Sequence, residues 1–167
     1  RVLPIPTLGL QDALAPTLEF PLLAKPRYGR SSEGLHMIPD ADSLHYWRSH
    51  LATDYYIVQP FMKGEVFVTD VVMQADESCS VAVTRQELLR TANGAGMTVR
   101  IHPHHDFDAL ATEVARHIGL RGCINVEFLV VDGKPYLMDV NPRFSAGVAF
   151  SMLAGYDMVH NHFNCFD

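Results

Sequence analysis

The sequence predicts an α+β fold, and three observations carry that reading. Residues 123–131 and 135–141 are two apolar runs around Asp132-Gly133-Lys134, a strong hairpin signal. Residues 65–74 and the run from Cys79 to Thr84 flank a polar turn, Asp76-Glu77-Ser78, and read as a second antiparallel pair. Helical patterns at 42–51 and 106–118 fall between such runs rather than alternating with them, so a doubly wound parallel sheet is not indicated.

Along the chain, RVLPIPTLGL reads as a short apolar strand already under way, which places the start inside a larger protein. Phe20 to Pro26 is an apolar run with one Lys, and RYGRSSEG after it is a flexible loop. Residues 35–38 resume a strand, and Asp40 or Asp42 caps a helix reaching about Leu51. Residues 55–61 are strand-like and stop near Pro60, and EVFVTDVVMQ alternates bulky and β-branched side chains as a long strand does. In DFDALATEVARHI, residues Phe107, Leu110, Ala111, Val114 and Ile118 share a helical face, with Asp106 as N-cap and Gly119 as terminator.

Composition excludes several functions. With 167 residues, 48% hydrophobic and 19% charged, the chain can bury a core and is too apolar for disorder. A formal charge of -6 without a Lys/Arg cluster argues against nucleic acid as a partner. No apolar run is long enough for a bilayer and no signal peptide is evident, so no membrane partner is expected and a cytoplasmic location is the default. Cys79, Cys123 and Cys165 suit neither a disulfide framework nor a paired zinc site and read as reduced thiols. His102, His104 and His105 lack helical zinc spacing and read as a surface loop; His160 and His162 read as solvated on a helix.

Two segments carry chemistry. PLLAKPRYGRSSEG combines glycines that let backbone N–H groups approach phosphate with serine donors and with Lys25, Arg27 and Arg30. A solvated basic turn explains that segment equally well on its own. In YLMDVNPRF, Asp139 and Asn141 are two apart on a strand and share a face, where a carboxylate and an amide oxygen can hold one hard cation. Glu127 on the partner strand offers a second carboxylate, and Pro142 puts the group at a strand end.

With these residues in view, the order of PLLAKPRYGRSSEG, YIVQPFMKGEVFVTDV, GCINVEFLVVDGKPYLMDVNPRFSAG and LAGYD resembles the ATP-grasp superfamily, in its carbamoyl-phosphate-synthase-like group that includes amino-acid ligases. The resemblance implies two α+β subdomains clasping a nucleotide between antiparallel sheets. Residues 1–60 would be the smaller, with the phosphate loop, and 61–167 the larger, with the metal-binding hairpin; an upstream domain is absent. It implies an ATP- and magnesium-dependent ligase that joins a small-molecule carboxylate to an amine through an acyl phosphate; self-association into a homo-oligomer stays open. Lys25 would contact the nucleotide, and residues 29–34, with Gly29, Arg30, Ser31, Ser32 and Gly34, would cover the β- and γ-phosphates. Gln59, Pro60 and Phe61 would line the adenine pocket, and Glu127, Asp139 and Asn141 would hold Mg²⁺. Arg143 would steady the transferred phosphoryl group.

The sequence departs from the family's pattern in places. Asp139 stands where Glu is usual, and the usual ribose acid is replaced by Val66, with Glu65 one residue earlier as the ribose candidate. Asp70 sits where the family often has an acid and is given no role. A module that binds nucleotide without turnover is the alternative function. Two geometric expectations follow. If Glu127 and Asp139 share a metal they are cross-strand neighbours, which calls for an odd-numbered hairpin loop, of three residues with a glycine bulge. A carbonyl of Gln59 or Pro60 takes the adenine amino group, and the Phe61 N–H reaches a ring nitrogen.

Overall fold

In the computed structural model, which describes residues 1–13, 19–29, 32–92 and 94–166, the strands form two sheets, one of six and one of four. In chain order the elements are β1 (Leu3–Pro4), β2 (Leu8–Gly9), a 3₁₀ turn (Leu10–Asp12), β3 (Leu22–Pro26), β4 (His36–Ile38), α1 (Ala41–His50) and β5 (Tyr56–Pro60). There follow β6 (Glu65–Met73), β7 (Cys79–Arg90), β8 (Gly96–His102), α2 (Asp106–Ile118), β9 (Gly122–Val131), β10 (Lys134–Asn141), α3 (Val148–Leu153) and α4 (Met158–Asn164). The chain divides into two units, Ile5–Lys63 and, as the second, Arg1–Pro4 with Gly64–Asp167. Among the described residues no helix is long and apolar enough to cross a membrane.

The unit of Ile5–Lys63 is an antiparallel sheet in the order β2-β5-β3-β4. Leu22 and Ala24 of β3, Val58 of β5 and Ile38 of β4 bury one face of it together with Leu10, Ala13 and Leu44. Strand alternation therefore turns Leu23 and Lys25 to the opposite face. Helix α1 starts at Asp40, whose carboxylate accepts the Ser43 N–H at 2.8 Å; Asp42 lies inside the first turn.

The second unit has the strand order β1-β10-β9-β6-β7-β8, with β1 parallel to β10 and every other pair antiparallel. Odd-numbered side chains of β6 and even-numbered ones of β9 (Phe67, Val71, Met73, Ile124, Val126, Phe128) pack with Phe107, Ala111 and Ala115 of α2. On the reverse face Val72, Val83 and Cys123 pack with Met158 of α4 and Cys165. The α2 stripe includes the expected Phe107 and Ala111, and Gly119 closes the helix at a left-handed φ of 73°.

The hairpin loop is not three residues: Lys134 pairs with Val131, leaving a two-residue turn of Asp132 and Gly133, both at positive φ (49° and 72°). That is the type I′ geometry whose twist matches the strands. The Glu127–Asp139 pairing is nevertheless formed, because a bulge between Leu137 and Asp139 takes up Met138 and shifts the register by one. The opening apolar stretch is two short strands, one in each sheet, rather than one. Strand β7 runs on to Arg90 and is followed by β8, which the sequence reading did not contain. The α2 N-cap is His105, whose Nδ1 accepts the Phe107 N–H at 3.2 Å, rather than Asp106.

Candidate functional site

Each site residue is placed by strand parity and register. On β9, Cys123, Asn125 and Glu127 point to the face opposite α2, and the bulge at Met138 brings Asp139 opposite Glu127 and Asn141 opposite Asn125. The three predicted metal ligands are thus gathered at one end of one sheet face. Asp139 Oδ2 accepts from Asn141 Nδ2 at 3.0 Å and Asp139 Oδ1 from the Val140 N–H at 2.9 Å. Asn141 Oδ1 accepts from Arg143 Nη2 at 3.0 Å, so Arg143 stands directly beside the ligand set.

Two carboxylates and an amide suit a magnesium ion, which takes one or two carboxylates and completes its shell with phosphate and water. The residues fit, with one adjustment: the Asn141 amide turns its nitrogen to Asp139, so ligation needs a half turn that brings Oδ1 around. Among the described residues no group of three or more His, Cys, Asp or Glu side chains is placed to hold a metal.

The sequence reading missed the groups that surround this set. Asp70 of β6, fully buried, accepts from Arg85 Nη1 at 2.6 Å, Asn125 Nδ2 at 2.9 Å and Ser151 Oγ at 2.8 Å. Arg85 Nη2 reaches Ser145 Oγ at 3.2 Å, tying the loop after β10 to the sheet. Glu87 lies 3.8 Å from Arg85 Nε and 2.7 Å from Arg90 Nε, and Arg90 Nη2 lies 3.0 Å from Glu127 Oε2. The result is an alternating series Asp70, Arg85, Glu87, Arg90, Glu127. Burial pushes the carboxyl groups of Glu127 and Glu87 above the ordinary range, while Arg90 acts in the opposite direction on both. The signal was in the sequence: Arg85 and Glu87 are two apart and share a face once β7 is extended past Thr84.

The remaining predicted residues are placed less favourably or only in part. Glu65, on the face of β6 that carries Phe67, accepts from Gln86 Nε2 at 2.8 Å and is turned away from Glu127 and Asp139. Lys25 and Gln59 share the coreless face of the four-stranded sheet, Lys25 opposite Ile57 and Gln59 opposite Leu23. Gln59 and Pro60, with Leu8, Leu22 and Val58, also line a cleft at the end of this sheet. The expected Phe61 donor is taken: its N–H reaches the Pro21 carbonyl at 2.9 Å, because the β3–β5 ladder continues one pair past Leu22–Pro60. Of the phosphate loop, Arg30 and Ser31 lie outside the described residues. Ser32 and Gly34 adopt positive φ (60° and 74°), and Gly29 precedes them. Arg27 is bound to the Asp54 carbonyl at 2.9 Å.

Of the histidines, His104 and His160 are exposed as expected, whereas His102 and His105 are half-buried against Phe67 and His162 Nδ1 accepts the Cys123 N–H at 2.9 Å.

Comparison with known proteins bears on this arrangement. The model of a family described as "ATP-grasp domain" matches residues 2–147. Carbamoyl phosphate synthase large chains of Clostridium beijerinckii and Clostridium perfringens are 24% and 25% identical over 90% of this chain, which spans 15% of their length. Among solved structures, N5-carboxyaminoimidazole synthetase of Staphylococcus aureus complexed with ADP superposes with a TM-score of 0.82 at 16% identity, covering 98% of this chain and 47% of that one. The biotin carboxylase domain of the Hydrogenobacter thermophilus 2-oxoglutarate carboxylase, with MgADP and bicarbonate, gives 0.79 at 16% identity, covering 98% and 42%. At these identities the superpositions show the shared fold.

Proposed function

The chain belongs to the ATP-grasp domain family, and on that premise we propose that it is the nucleotide-handling part of an ATP- and magnesium-dependent carboxylate–amine ligase. The observation that carries the reading is the bulge in β10, which turns Asp139 to the side of Glu127 against the parity of a two-residue turn. A bulge at that point is explained by a need for both carboxylates on one face. The relatives support it: one structure of similar fold holds MgADP and bicarbonate, a small carboxylate-like anion.

In the proposed reaction a carboxylate oxygen attacks the γ-phosphorus of ATP, ADP leaves, and an acyl phosphate forms; an amine then attacks the acyl carbon and phosphate departs. Magnesium, when bound, neutralises phosphate charge. Glu127, Asp139 and Asn141 would hold it, and Arg143, beside Asn141, would stabilise the charge that develops on the transferred phosphoryl group. Lys25 binds nucleotide phosphate and residues 29–34 cover it. With the Phe61 N–H engaged, and Gln59 facing Leu23 in the same ladder, the Pro60 carbonyl, which points away from β3, remains as the acceptor for the adenine amino group. The rival reading, a nucleotide-binding module without turnover, draws on Asp139, one methylene shorter than the family's usual Glu.

Calorimetric titration with ATP, with and without magnesium, tests this. Lys25→Ala should weaken binding by about 1.5–3 kcal/mol in both conditions. Asp139→Asn should weaken Mg-ATP and spare magnesium-free ATP; equal losses in both would show Asp139 to be structural and remove the metal assignment. ADP release that depends on an added amino acid separates the ligase from the module.

A further inference from the structure

Arg90 is the charged side chain at the carboxylate face that the proposed ligand set leaves without a task. It ends β7 with its guanidinium between two carboxylates, Nη2 3.0 Å from Glu127 Oε2 and Nε 2.7 Å from Glu87 Oε2, and Nε is also 2.9 Å from the Gly94 carbonyl. The side chains of Glu87, Glu127 and Arg90 are 4%, 17% and 25% exposed, so water screens these contacts only in part. Asp139 pairs with Glu127 across the strands, so Arg90 is held by two carboxylates, the second of which stands beside a third.

We propose that Arg90 is a resident counter-cation for Glu127, which it neutralises in the metal-free protein and releases when a divalent cation binds, so that Arg90 sets the metal affinity of this face. The inference rests on the reading of Glu127 and Asp139 as metal ligands and adds a residue to it. A carboxylate this sheltered, next to two others, needs a positive partner when no metal is present. A divalent ion on the same carboxylate repels the guanidinium twice as strongly as a single charge would, at a separation where screening is weak. The geometry gives the displaced side chain somewhere to stay: the Nε–H keeps the Gly94 carbonyl and the guanidinium stays beside Glu87 while Nη2 leaves Glu127. Arg90 therefore tunes affinity by competition, unlike a ligand, whose loss weakens binding.

The test uses the full chain and Mn²⁺ alone, followed by electron paramagnetic resonance. Arg90→Gln should tighten Mn²⁺ binding by about three- to tenfold, and Arg90→Lys should stay near the parent. In ¹⁵N-labelled protein the Arg90 Nε–H signal should move on Mg²⁺ titration, and should not in Glu127→Gln. Unchanged or weaker Mn²⁺ binding in Arg90→Gln overturns the proposal, as does the same tightening when Glu127→Gln is already in place. If Glu127→Gln and Asp139→Asn leave Mn²⁺ binding intact in the parent, the ligand assignment itself has failed, a result distinct from a failure of Arg90 alone. Should Arg90→Gln not fold because Glu87 keeps only its longer contact to Arg85, Glu87→Gln/Arg90→Gln removes both charges and carries the same expectation.

Discussion

The face of the six-stranded sheet that turns away from α2 has two halves made from the same three strands. In one half Val72, Val83 and Cys123 close against Met158 and Cys165. In the other, β6, β7 and β9 present Asp70, Arg85, Glu87 and Glu127, joined by Arg90. Backbone and side-chain parity are the same in both; the difference lies in how polar groups are satisfied. The apolar half suppresses charge, and burial pushes the Cys123 thiol up to about 12. The charged half tolerates burial because each ion faces one of opposite sign, down to Asp70 and Arg85 at 0% and 2% exposure. Burial alone does not separate a core from a site; the pairing of its polar groups does.

The largest expected effect breaks that pairing. Asp70→Ala leaves Arg85 buried without its carboxylate and should cost about 3–5 kcal/mol in urea denaturation. Val72→Ala in the apolar half loses two methyl groups and should cost about 1.5–3 kcal/mol. Replacing both ions with apolar residues of similar volume, Asp70→Leu/Arg85→Met, should recover the part of the loss that comes from the orphaned charge, while Asn125 Nδ2 and Ser151 Oγ still lack the acceptor that Asp70 gave them. A cost for Asp70→Ala no greater than for Val72→Ala would remove the distinction between the halves.

A smaller effect sharpens it. A Cβ on Gly147 would lie 2.8 Å from Arg85 Nη2 and 3.0 Å from its Cζ. Gly147 has φ −94°, so Gly147→Ala meets no backbone strain and reports only this contact. Arg85 is fixed by Asp70 and Ser145 and has little room to retreat, so the substitution should cost about 1–3 kcal/mol in the same assay. A neutral outcome would mean that the guanidinium is free to move and that the loop after β10 is not held by it.

The sequence disclosed the apolar surfaces of the six-stranded sheet, above all the one under α2, more fully than the charged half, for a physical reason. Periodicity shows a face that excludes water, so the Phe107–Ala111 stripe of α2 and the β6 and β9 runs were legible. Asp132-Gly133 gave the hairpin, yet the bulge that sets the Glu127–Asp139 register has no local signature; only the chemistry required of the two carboxylates pointed to their pairing. Asp70 was passed over because a lone acid within VTDVV carries no pattern until Arg85 and Asn125 are brought to it from other strands. Residues 85–90, RQELLR, read as poorly in a strand as they would read well in a helix, which hid Arg85, Glu87 and Arg90. Likewise β1 is defined by pairing with β10, over a hundred residues away, and no window along the chain contains that contact.

The smallest expected effect is on pH dependence, where the halves should differ in kind. Glu127 and Glu87 have folded pKa values raised above ordinary, with burial as the largest cause. A carboxyl with a raised folded pKa binds its proton more tightly in the native state. Its contribution to stability is therefore fully present below the unfolded pKa, about 4.3, and is lost as pH rises through the folded value. Glu127→Gln cannot ionise, so metal-free protein carrying it should lose less stability between about pH 4 and 7 than the parent, a difference expected to stay below about 1 kcal/mol. Cys123 provides the contrast: with its thiol at about 12, Cys123→Ala should lower stability through lost packing by the same amount at every pH in that range. Denaturation midpoints of the three proteins across that window decide the matter. A steeper fall with pH in Glu127→Gln than in the parent would mean that Arg90, not burial, dominates the Glu127 carboxyl, and that the two halves differ only in composition.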